Sequence, residues 1–292
     1  NGGEVTKTID LLVNPSNKDI TGGGGADTLN GGAGDDTIDG GNGADTIDGG
    51  DGIDTASYAS STRAVKVNLL TGKGTGGDTL INIENISGSS FNDNLVGDDG
   101  NNVIDGNEGD DILDGGAGAD ILNGGSGSNT VFYRNSTEGV VVNLATGINS
   151  GGYAEGDILN DIENVVGSML NDTISGDASD NIIKSRAGDD LIYGDYGADT
   201  INGGGGNDTM SYAESDIAIN VNLTTNINSG GYAEGDSLSN IESIIASSFD
   251  DFVVGDSRKN TINGNDGNDQ LFGEGGADTL NGGAGDDTID GG

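Results

Sequence analysis

Large aliphatic residues recur at every ninth position along most of this chain, and glycine-rich segments separate them. The repeated unit reads Gly-Gly-x-Gly-x-Asp-x-U-x, where U is aliphatic, as in residues 22–30 (GGGGADTLN), 31–39 (GGAGDDTID) and 40–48 (GGNGADTID). A single apolar residue between polar neighbours is typical of a short strand with one buried face, and glycine clusters are typical of turns. The pattern therefore predicts short strands that alternate with tight turns.

The aliphatic eighth position of each unit is predicted to point inward, and these side chains are predicted to form the whole core. Two such residues in every pair of units give a thin core, so hydrophobic burial alone is not expected to stabilise the fold against the conformational entropy of the chain. The eighth positions hold Leu29, Ile38, Ile47, Ile104, Leu113, Leu122, Ile174, Ile183, Ile192, Ile201, Ile262, Leu271, Leu280 and Ile289.

Two units are predicted to form one coil of a solenoid that rises by one strand spacing, about 4.8 Å. Each coil then contacts mainly its neighbours. No helix of useful length is predicted, because glycine at this density costs roughly 0.5 to 1 kcal/mol per helical position. The predicted fold class is all-β, a parallel β-roll or β-solenoid of nonapeptide repeats.

A longer period overlies the short one. Glu84, Glu163 and Glu242 stand in related strings, and 163 minus 84 and 242 minus 163 both give 79. The chain therefore holds about three modules of this length or slightly less. The predicted organisation is a lead segment (1–21), repeat runs 1 to 4 (22–57, 88–132, 167–211 and 246–292) and inserts 1 to 3 (58–87, 133–166 and 212–245).

Each insert contains a short alternating string, VKVNL, VVVNL or INVNL, that predicts a strand ending at Leu69, Leu144 or Leu223. Each insert also begins with a tyrosine, and these tyrosines are predicted to cap the last core layer of the preceding run. The tyrosines are Tyr58, Tyr133 and Tyr212, and the residues predicted to fill the core at the start of the next run are Phe91, Met169 and Phe249.

The second and third inserts contain the string YAEGD, which the first insert lacks in part. This string is predicted to form an exposed loop that lets the solenoid change register. An extra calcium site or a carbohydrate contact, built from Asp157 and Asp236 with Glu155 and Glu234, is the alternative.

The chain of 292 residues carries 50 acidic and 10 basic side chains, a formal net charge of -40. Nucleic acid and anionic membranes are disfavoured as partners because their charge has the same sign, and a metal cation is favoured. Cysteine and histidine do not occur, which removes disulfides, the commonest zinc ligands and a Ser-His-Asp triad. Catalysis has no positive support, and an enzyme is not predicted.

The sequence predicts no transmembrane segment, since no apolar run approaches the roughly 18 residues required, and the segment 1–14 lacks the order of a signal peptide. Residues 26–41 and 277–292 are identical. We therefore expect a fragment of a longer repetitive protein.

The sixth position of the unit supplies a carboxylate beside a glycine turn whose carbonyl groups can approach one another. Oxygen donors of this kind suit a hard cation such as Ca²⁺. In a two-turn coil the ligands should pair two units apart, as Asp27 does with Asp45 and Asp36 with Asp54. The candidate ligands are Asp27, Asp36, Asp45, Asp54, Asp93, Asp111, Asp120, Asp172, Asp190, Asp199, Asp208, Asp251, Asp269, Asp278 and Asp287, with the turn glycines Gly25, Gly34, Gly100, Gly109, Gly188 and Gly267.

These tandem units resemble the RTX, or haemolysin-type calcium-binding, repeat proteins, with strong matches in 22–56, 106–131, 185–210 and 264–292. The resemblance implies a parallel β-roll in which several calcium ions are bound between successive coils. It also implies export from a Gram-negative bacterium by type I secretion, followed by folding outside the cell, where calcium is abundant. We expect a chain that is largely disordered without calcium.

Two departures from the repeat predict weakened sites. Asn102, Asn181 and Asn260 replace the aspartate at the same point of successive modules, and each follows a Gly-Asp pair (Asp98, Asp177 and Asp256) that could return a carboxylate to the turn. Ser185 and Arg186 replace the two glycines of another turn, beside Lys184.

The leading functional hypothesis is a calcium-dependent structural region of a secreted or cell-surface protein, of the surface-layer or adhesin-stalk type, with self-association or other surface components as partners. Repetition of whole modules favours it. The alternative is an export and folding module of a secreted enzyme or toxin whose active domain lies outside this sequence. Sugar or ice binding would require regular aromatic or threonine rows, which the repeats lack.

Overall fold

The computed structural model describes residues 16–292, so most of the predicted lead segment lies outside the described residues. In the described part the elements are short strands and two 3-10 turns, η1 (Gly152–Ala154) and η2 (Gly231–Ala233), which confirms the all-β prediction. No helix among these residues is long and apolar enough to cross a bilayer. The strands are β1 (Asp19–Gly24), β2 (Thr28–Ala33), β3 (Thr37–Asn42), β4 (Thr46–Asp51), β5 (Thr55–Ser57), β6 (Lys66–Asn68), β7 (Thr79–Ile81), β8 (Asn85–Ser87), β9 (Asn94–Val96), β10 (Val103–Asp105), β11 (Ile112–Asp114), β12 (Ile121–Asn123), β13 (Thr130–Phe132), β14 (Val141–Asn143), β15 (Ile158–Asn160), β16 (Asn164–Val166), β17 (Thr173–Ser175), β18 (Ile182–Lys184), β19 (Leu191–Tyr193), β20 (Thr200–Asn202), β21 (Thr209–Ser211), β22 (Asn220–Asn222), β23 (Ser237–Ser239), β24 (Ser243–Ile245), β25 (Phe252–Val254), β26 (Thr261–Asn263), β27 (Gln270–Phe272), β28 (Thr279–Asn281) and β29 (Thr288–Asp290).

The chain forms two compact units. Among the described residues, unit 1 contains 16–132 together with Tyr153–Ile162. Its strands are parallel, in the orders β1-β3-β5-β8-β10-β12-β15, β2-β4-β7 and β6-β9-β11-β13. Within a run, each strand pairs with the strand two nonapeptides later, as in Leu29 with Ile47 and Ile104 with Leu122. This is the coil of two nonapeptides that the sequence predicts.

Unit 2 contains Tyr133–Gly152 and Glu163–Gly292. Its parallel strands have the orders β14-β17-β19-β21-β24-β26-β28, β16-β18-β20-β23 and β22-β25-β27-β29. The register is again two nonapeptides within a run, as in Ile174 with Ile192 and Ile183 with Ile201. Each unit is thus a stack of two-strand coils.

The eighth-position side chains are buried as predicted, except at the end of the last run. Ile104, Ile174 and Leu271 are fully buried. Leu280 is only partly buried and Ile289 is 49% exposed, because no later coil within residues 16–292 covers them. The prediction that these residues form the whole core was wrong, since insert residues are buried beside them, among them Val67, Val142 and Val221.

Three residues that were predicted to fill the core lie at the surface instead. Phe91 and Phe249 are each 42% exposed, and Met169 is 54% exposed. The main chain of Phe91 lies against Gly109, and that of Phe249 lies against Gly267, two turns later in each case. At these positions the backbone therefore faces the interior of the turn, and the side chain projects outward.

The first insert reverses the order of its two strands in the stack. β7 pairs back with β4, with Leu80 opposite Ile47, whereas the earlier strand β6 pairs forward with β9, with Val67 opposite Leu95. Lys73 lies between them and bridges both in the antiparallel sense. The insert therefore places one antiparallel segment inside a parallel stack.

The other inserts use the same arrangement. In unit 2, β23 pairs with β20, β22 pairs with β25, and Ser229 forms an antiparallel bridge with Asn220. Also in unit 2, β14 pairs with β17 and Val141 bridges Ser150, while in unit 1 β15 pairs with β12. The three strings VKVNL, VVVNL and INVNL form β6, β14 and β22, as predicted.

The tyrosines that begin the inserts are buried, as the capping prediction requires. Tyr58, Tyr133 and Tyr212 are at most 8% exposed. The Tyr58 hydroxyl donates a hydrogen bond to Asp78 Oδ2 at 3.1 Å, and the Tyr212 hydroxyl donates to Asp236 Oδ2 at 2.7 Å. Each of these two buried tyrosines thus supplies a hydrogen-bond donor to a buried carboxylate.

Candidate metal centres

The turns between strands hold the sixth-position aspartates in a repeated geometry. Within the repeat runs, the backbone N–H of a sixth-position residue donates to Oδ1 of the sixth-position residue 18 positions later wherever the run contains one, at 2.8 Å between Asp27 and Asp45, for example. Every other pair of sixth-position residues at this spacing within a run is joined in this way. The remaining pairs are Asp36–Asp54, Asp93–Asp111, Asn102–Asp120, Asp111–Asn129, Asp172–Asp190, Asn181–Asp199, Asp190–Asp208, Asp251–Asp269, Asn260–Asp278 and Asp269–Asp287.

The second oxygen of most of these carboxylates has no hydrogen-bond partner. In the described part of the chain, every buried side-chain nitrogen or oxygen atom without a hydrogen-bond partner is the Oδ2 atom of a predicted ligand. A buried carboxylate oxygen without a partner is costly unless a cation lies beside it. These residues are Asp27, Asp36, Asp45, Asp54, Asp111, Asp120, Asp190, Asp199, Asp208, Asp269 and Asp278.

Main-chain carbonyl oxygens face the same spaces. A Cβ at Gly31 would collide both with Asp36 Oδ2 and with the carbonyl oxygen of Gly49, so these two oxygens converge where only a glycine leaves room. A carboxylate with carbonyl groups is the donor set that calcium prefers. The six predicted turn glycines also direct their carbonyl groups toward the equivalent glycine two nonapeptides later, at Gly43, Gly52, Gly118, Gly127, Gly206 and Gly285.

The electrostatics of these turns also favour a bound cation. Burial raises the pKa of Asp120 to about 7 and the pKa of Asp199 to about 8. A backbone N–H hydrogen bond opposes this shift in each case, and the neighbouring carboxylates of Asp157 and Asp236 add to it. A divalent ion beside Oδ2 would offset both the loss of hydration and the repulsion between carboxylates.

In the first coil a side chain of the protein supplies positive charge. The Lys18 ammonium donates a hydrogen bond to the carbonyl oxygen of Gly31 and lies 3.8 Å from Asp36 Oδ2. These are the two kinds of oxygen that converge in the other turns. The ammonium group therefore lies beside both a carboxylate oxygen and a carbonyl oxygen of this coil.

Side-chain amide hydrogen bonds close the asparagine turns. The Asn102 amide nitrogen donates to the carbonyl oxygen of Glu84 at 2.7 Å, and the Asn181 amide donates to Glu163 at 2.8 Å. The amide group therefore binds the carbonyl oxygen directly. A carboxylate at the same position would need an ion between itself and that carbonyl oxygen. This geometry supports the expectation that the sites at Asn102, Asn181 and Asn260 are weakened.

The aspartates that precede these asparagines form local turns. Asp98 Oδ1 accepts the N–H of Gly100 at 2.8 Å, and Asp177 Oδ1 accepts the N–H of Ser179 at 2.8 Å. Asp256 Oδ1 accepts the N–H of Arg258 at 2.7 Å in the same way. One oxygen of each carboxylate is therefore already engaged by a local backbone N–H group.

In runs 2, 3 and 4, a serine donates hydrogen bonds to the first candidate ligand of the run. Asp251 accepts hydrogen bonds from the Ser247 hydroxyl at 2.7 Å and from the Ser247 N–H at 2.8 Å. Ser89 and Ser168 contact Asp93 and Asp172 in the same manner. These three candidate ligands thus have protein partners that the other aspartates lack.

The turn at Ser185 and Arg186 keeps its carboxylate but loses a carbonyl. The Ser185 hydroxyl donates to the carbonyl oxygen of Gly203 at 2.8 Å, and Arg186 adopts a left-handed conformation with φ of 86°. Asp190 Oδ2 remains without a hydrogen-bond partner. One potential ligand is consumed, which agrees with the predicted weakening of this site.

The prediction that the YAEGD strings form exposed loops was wrong for their aspartates. Asp157 and Asp236 are each only 3% exposed. Asp157 Oδ1 accepts the N–H of Asp120 at 2.9 Å, and Asp236 Oδ1 accepts the N–H of Asp199 at 3.0 Å. Each therefore occupies the place of a sixth-position aspartate, whereas Glu155 and Glu234 are exposed.

Three other carboxylates of the inserts were not identified as site residues from the sequence. Asp78 accepts the N–H of Asp45, and Glu84 and Glu242 accept the N–H groups of Asp54 and Asp208. The separations in sequence are 33, 30 and 34, so a search at the spacing of two nonapeptides does not find them. The signal that could have found Glu84 and Glu242 is their recurrence at the longer period of the modules.

Side chains alone do not form a metal cage here. Among residues 16–292, no group of three or more acidic, histidine or cysteine side chains is placed to hold a metal ion. The oxygen-rich turns instead combine individual carboxylates with main-chain carbonyl groups. A calcium ion in these turns would therefore depend on the glycine backbone as much as on the aspartates.

Comparison with known proteins agrees with this geometry. A family model described as the RTX calcium-binding nonapeptide repeat matches residues 21–56, 87–122, 96–131, 166–195, 175–210, 245–280 and 265–292, which is more than half of the chain. No match was found among curated proteins. The chain therefore belongs to the RTX calcium-binding nonapeptide repeat family and is a calcium-binding repeat region of the kind carried by secreted bacterial proteins.

Proposed function

We propose that this chain is a calcium-stiffened structural region of the surface-layer or adhesin-stalk type, which folds and assembles on extracellular calcium. The observation that carries the proposal is the succession of buried Oδ2 atoms without hydrogen-bond partners, each at a turn that stacks on the next. Bound ions would join consecutive coils through these oxygens. The rigidity of the region would then depend on calcium along its whole length.

Repetition of entire modules supports a structural role over a catalytic one. The three inserts use the same reversed strand order, and one oxygen of a carboxylate accepts a backbone N–H group in the runs and in the inserts alike. Surface layers and stalks require many similar rigid segments. The formal net charge of -40 supports a dependence on cations for any close packing of copies.

A calcium titration tests the proposal. Circular dichroism is expected to show strand formation as calcium rises through roughly 0.1 to 1 mM, the range of extracellular modules. Light scattering is expected to report assembly at the same or a higher concentration. Folding without any assembly would favour the export and folding role, and an unchanged spectrum and hydrodynamic radius after calcium removal would refute calcium-dependent folding.

A further inference from the structure

The last open turns of runs 1 and 3 lack the aspartate that would follow two nonapeptides later. Asp54 and Asp208 are fully buried, and their Oδ2 atoms have no hydrogen-bond partner. The positions at that spacing hold Gly72 and Asn226. By the repeat pattern alone, both turns would be incomplete.

A glutamate from the following insert takes the place of the missing aspartate. Glu84 Oε2 accepts the backbone N–H of Asp54 at 2.8 Å, and Glu242 Oε2 accepts that of Asp208 at 3.1 Å. Within the runs the same N–H donates to an aspartate Oδ1. Each glutamate thus brings a second carboxylate to the turn.

The insert also replaces the missing carbonyl group. A Cβ at Gly49 would collide with the carbonyl oxygen of Asn82 and with Asp54 Oδ2, which reproduces the convergence at Gly31. At Gly203, the carbonyl oxygen of Asn240 and Asp208 Oδ2 converge in the same way. Asn82 and Asn240 adopt left-handed conformations, with φ of 50° and 53°, a region that residues with a side chain occupy uncommonly and asparagine more often than most.

We propose that inserts 1 and 3 complete two further calcium sites, one at Asp54 with Glu84 and the carbonyl of Asn82, the other at Asp208 with Glu242 and the carbonyl of Asn240. The proposal rests on the calcium-dependent function proposed above. It adds ligands that lie outside the matched repeats, since these end at residue 56 and at residue 210 before resuming at 87 and 245. The inserts therefore continue the row of ions where the nonapeptides stop.

The two sites differ in charge. Arg258 Nη1 lies 2.8 Å from Glu242 Oε1, while the Arg258 Nε atom contacts Asp256. The equivalent position in the first module holds Gly100, which has no side chain. The Asp208 site is therefore the less negative of the two and binds calcium more weakly than the Asp54 site.

The second module provides an internal comparison. Asn129 stands where the other modules have Asp54 and Asp208, and its amide nitrogen donates to the carbonyl oxygens of Asp161 at 3.0 Å and Gly125 at 3.3 Å. Asp161 has the same left-handed conformation as Asn82. The amide therefore occupies the space that the ion takes in the other modules, and this turn binds no calcium.

Counting bound calcium on the full chain tests the proposal. Folded protein in saturating calcium is brought to equilibrium by dialysis, bound calcium is measured by atomic absorption, and circular dichroism verifies the fold of each variant. Glu84→Gln and Glu242→Gln each keep the acceptor oxygen but remove the charge, and each is expected to lower the calcium content by about one ion per chain. Glu138→Gln, at an exposed glutamate, is the control and leaves the count unchanged.

The reverse substitution guards against a loss that merely reflects misfolding. Asn129→Asp places a carboxylate opposite the Asp161 carbonyl and is expected to raise the count by about one ion. Unchanged counts in all three variants, with a wild-type chain that binds calcium, would overturn this proposal and leave the proposed function standing. A wild-type chain that binds no calcium would remove the proposed function itself.

Discussion

At the scale of single residues, one atom of the sixth-position side chain decides how a turn is closed. An aspartate such as Asp269 presents an Oδ2 without a hydrogen-bond partner to a glycine carbonyl, whereas Asn102 presents an N–H donor to a carbonyl. Two oxygens with partial or full negative charge repel each other, and a donor beside an oxygen attracts it. The same backbone can therefore be held by an ion or by an amide.

Asp269→Asn is expected to convert an ion-dependent turn into an amide-closed one. The new amide nitrogen lies near the Gly282 carbonyl, so the fold in saturating calcium is retained while the calcium content falls by about one ion. Equilibrium dialysis with atomic absorption measures the count. Asp250→Asn makes the same chemical change at the neighbouring exposed aspartate and should leave it unchanged; equal losses in both variants would contradict the assignment.

The raised carboxyl pKa values predict that the ion-free fold is stabilised by acid. Burial raises the pKa of Asp199 to about 8, of Asp120 to about 7, and of Asp111 and Asp208 to about 6. The folded chain then binds more protons than the unfolded chain, so the free energy of unfolding without calcium rises as the pH falls from about 8 to about 5.

Circular dichroism of calcium-free protein across that pH range tests this sign. Strand signal is expected to increase at the acidic end, and the calcium concentration at half-folding is expected to increase as well, because protons compete with the ion for the same oxygens. A strand signal that decreases on acidification from pH 8 to 5 would contradict the prediction.

At the scale of elements, the turns depend on a close approach of backbone to backbone. Gly206 has φ of 142°, and a Cβ there would collide with the carbonyl oxygen of Gly188. Its neighbour Gly205 has open space at the Cβ position. A methyl group at Gly206 would therefore displace the backbone of the stacked turn, whereas a methyl group at Gly205 would meet no other atom.

Gly206→Ala is expected to destabilise the calcium-bound protein by about 1–3 kcal/mol, the cost of a strained backbone conformation, and to displace the Gly188 carbonyl. Gly205→Ala is expected to change stability by no more than about 0.5 kcal/mol. Urea unfolding in saturating calcium measures both. If the two variants unfold at the same urea concentration, the close approach does not contribute to stability.

At the scale of the whole molecule, the thin core and the formal net charge of -40 make the fold dependent on cations of a particular kind. Dissolved salt screens exposed charges but cannot replace the missing partners of buried Oδ2 atoms. Magnesium requires near-ideal octahedral geometry and retains its water, whereas calcium accepts irregular sets of carbonyl and carboxylate oxygens. Folding should therefore distinguish the two ions.

Magnesium at a concentration equal to saturating calcium is expected to leave most of the chain without strand structure and with a larger hydrodynamic radius. Sodium chloride at matched ionic strength is expected to do the same. Circular dichroism and dynamic light scattering on one sample of the chain measure both properties. Folding by magnesium or sodium to the calcium-bound radius would show that general charge neutralisation is sufficient.

The nine-residue period by itself determined the coil, the buried aliphatic row and the pairing of aspartates two nonapeptides apart. Leu29 above Ile47, and Asp27 hydrogen-bonded to Asp45, follow directly from it. Such contacts are predictable because every unit repeats the same local conformation, so a constant separation in sequence becomes a constant displacement in space.

Only the tertiary structure decided what the inserts do. An antiparallel segment interrupts the period and determines three features of the inserts. These are the reversed order of β6 and β7, the burial of Asp157 and Asp236, and the use of Glu84 in place of an aspartate. Across such a segment, the separation between stacked residues is no longer constant. Which polar atoms then meet is set by chain folding in three dimensions, and a pattern along the sequence does not contain that information.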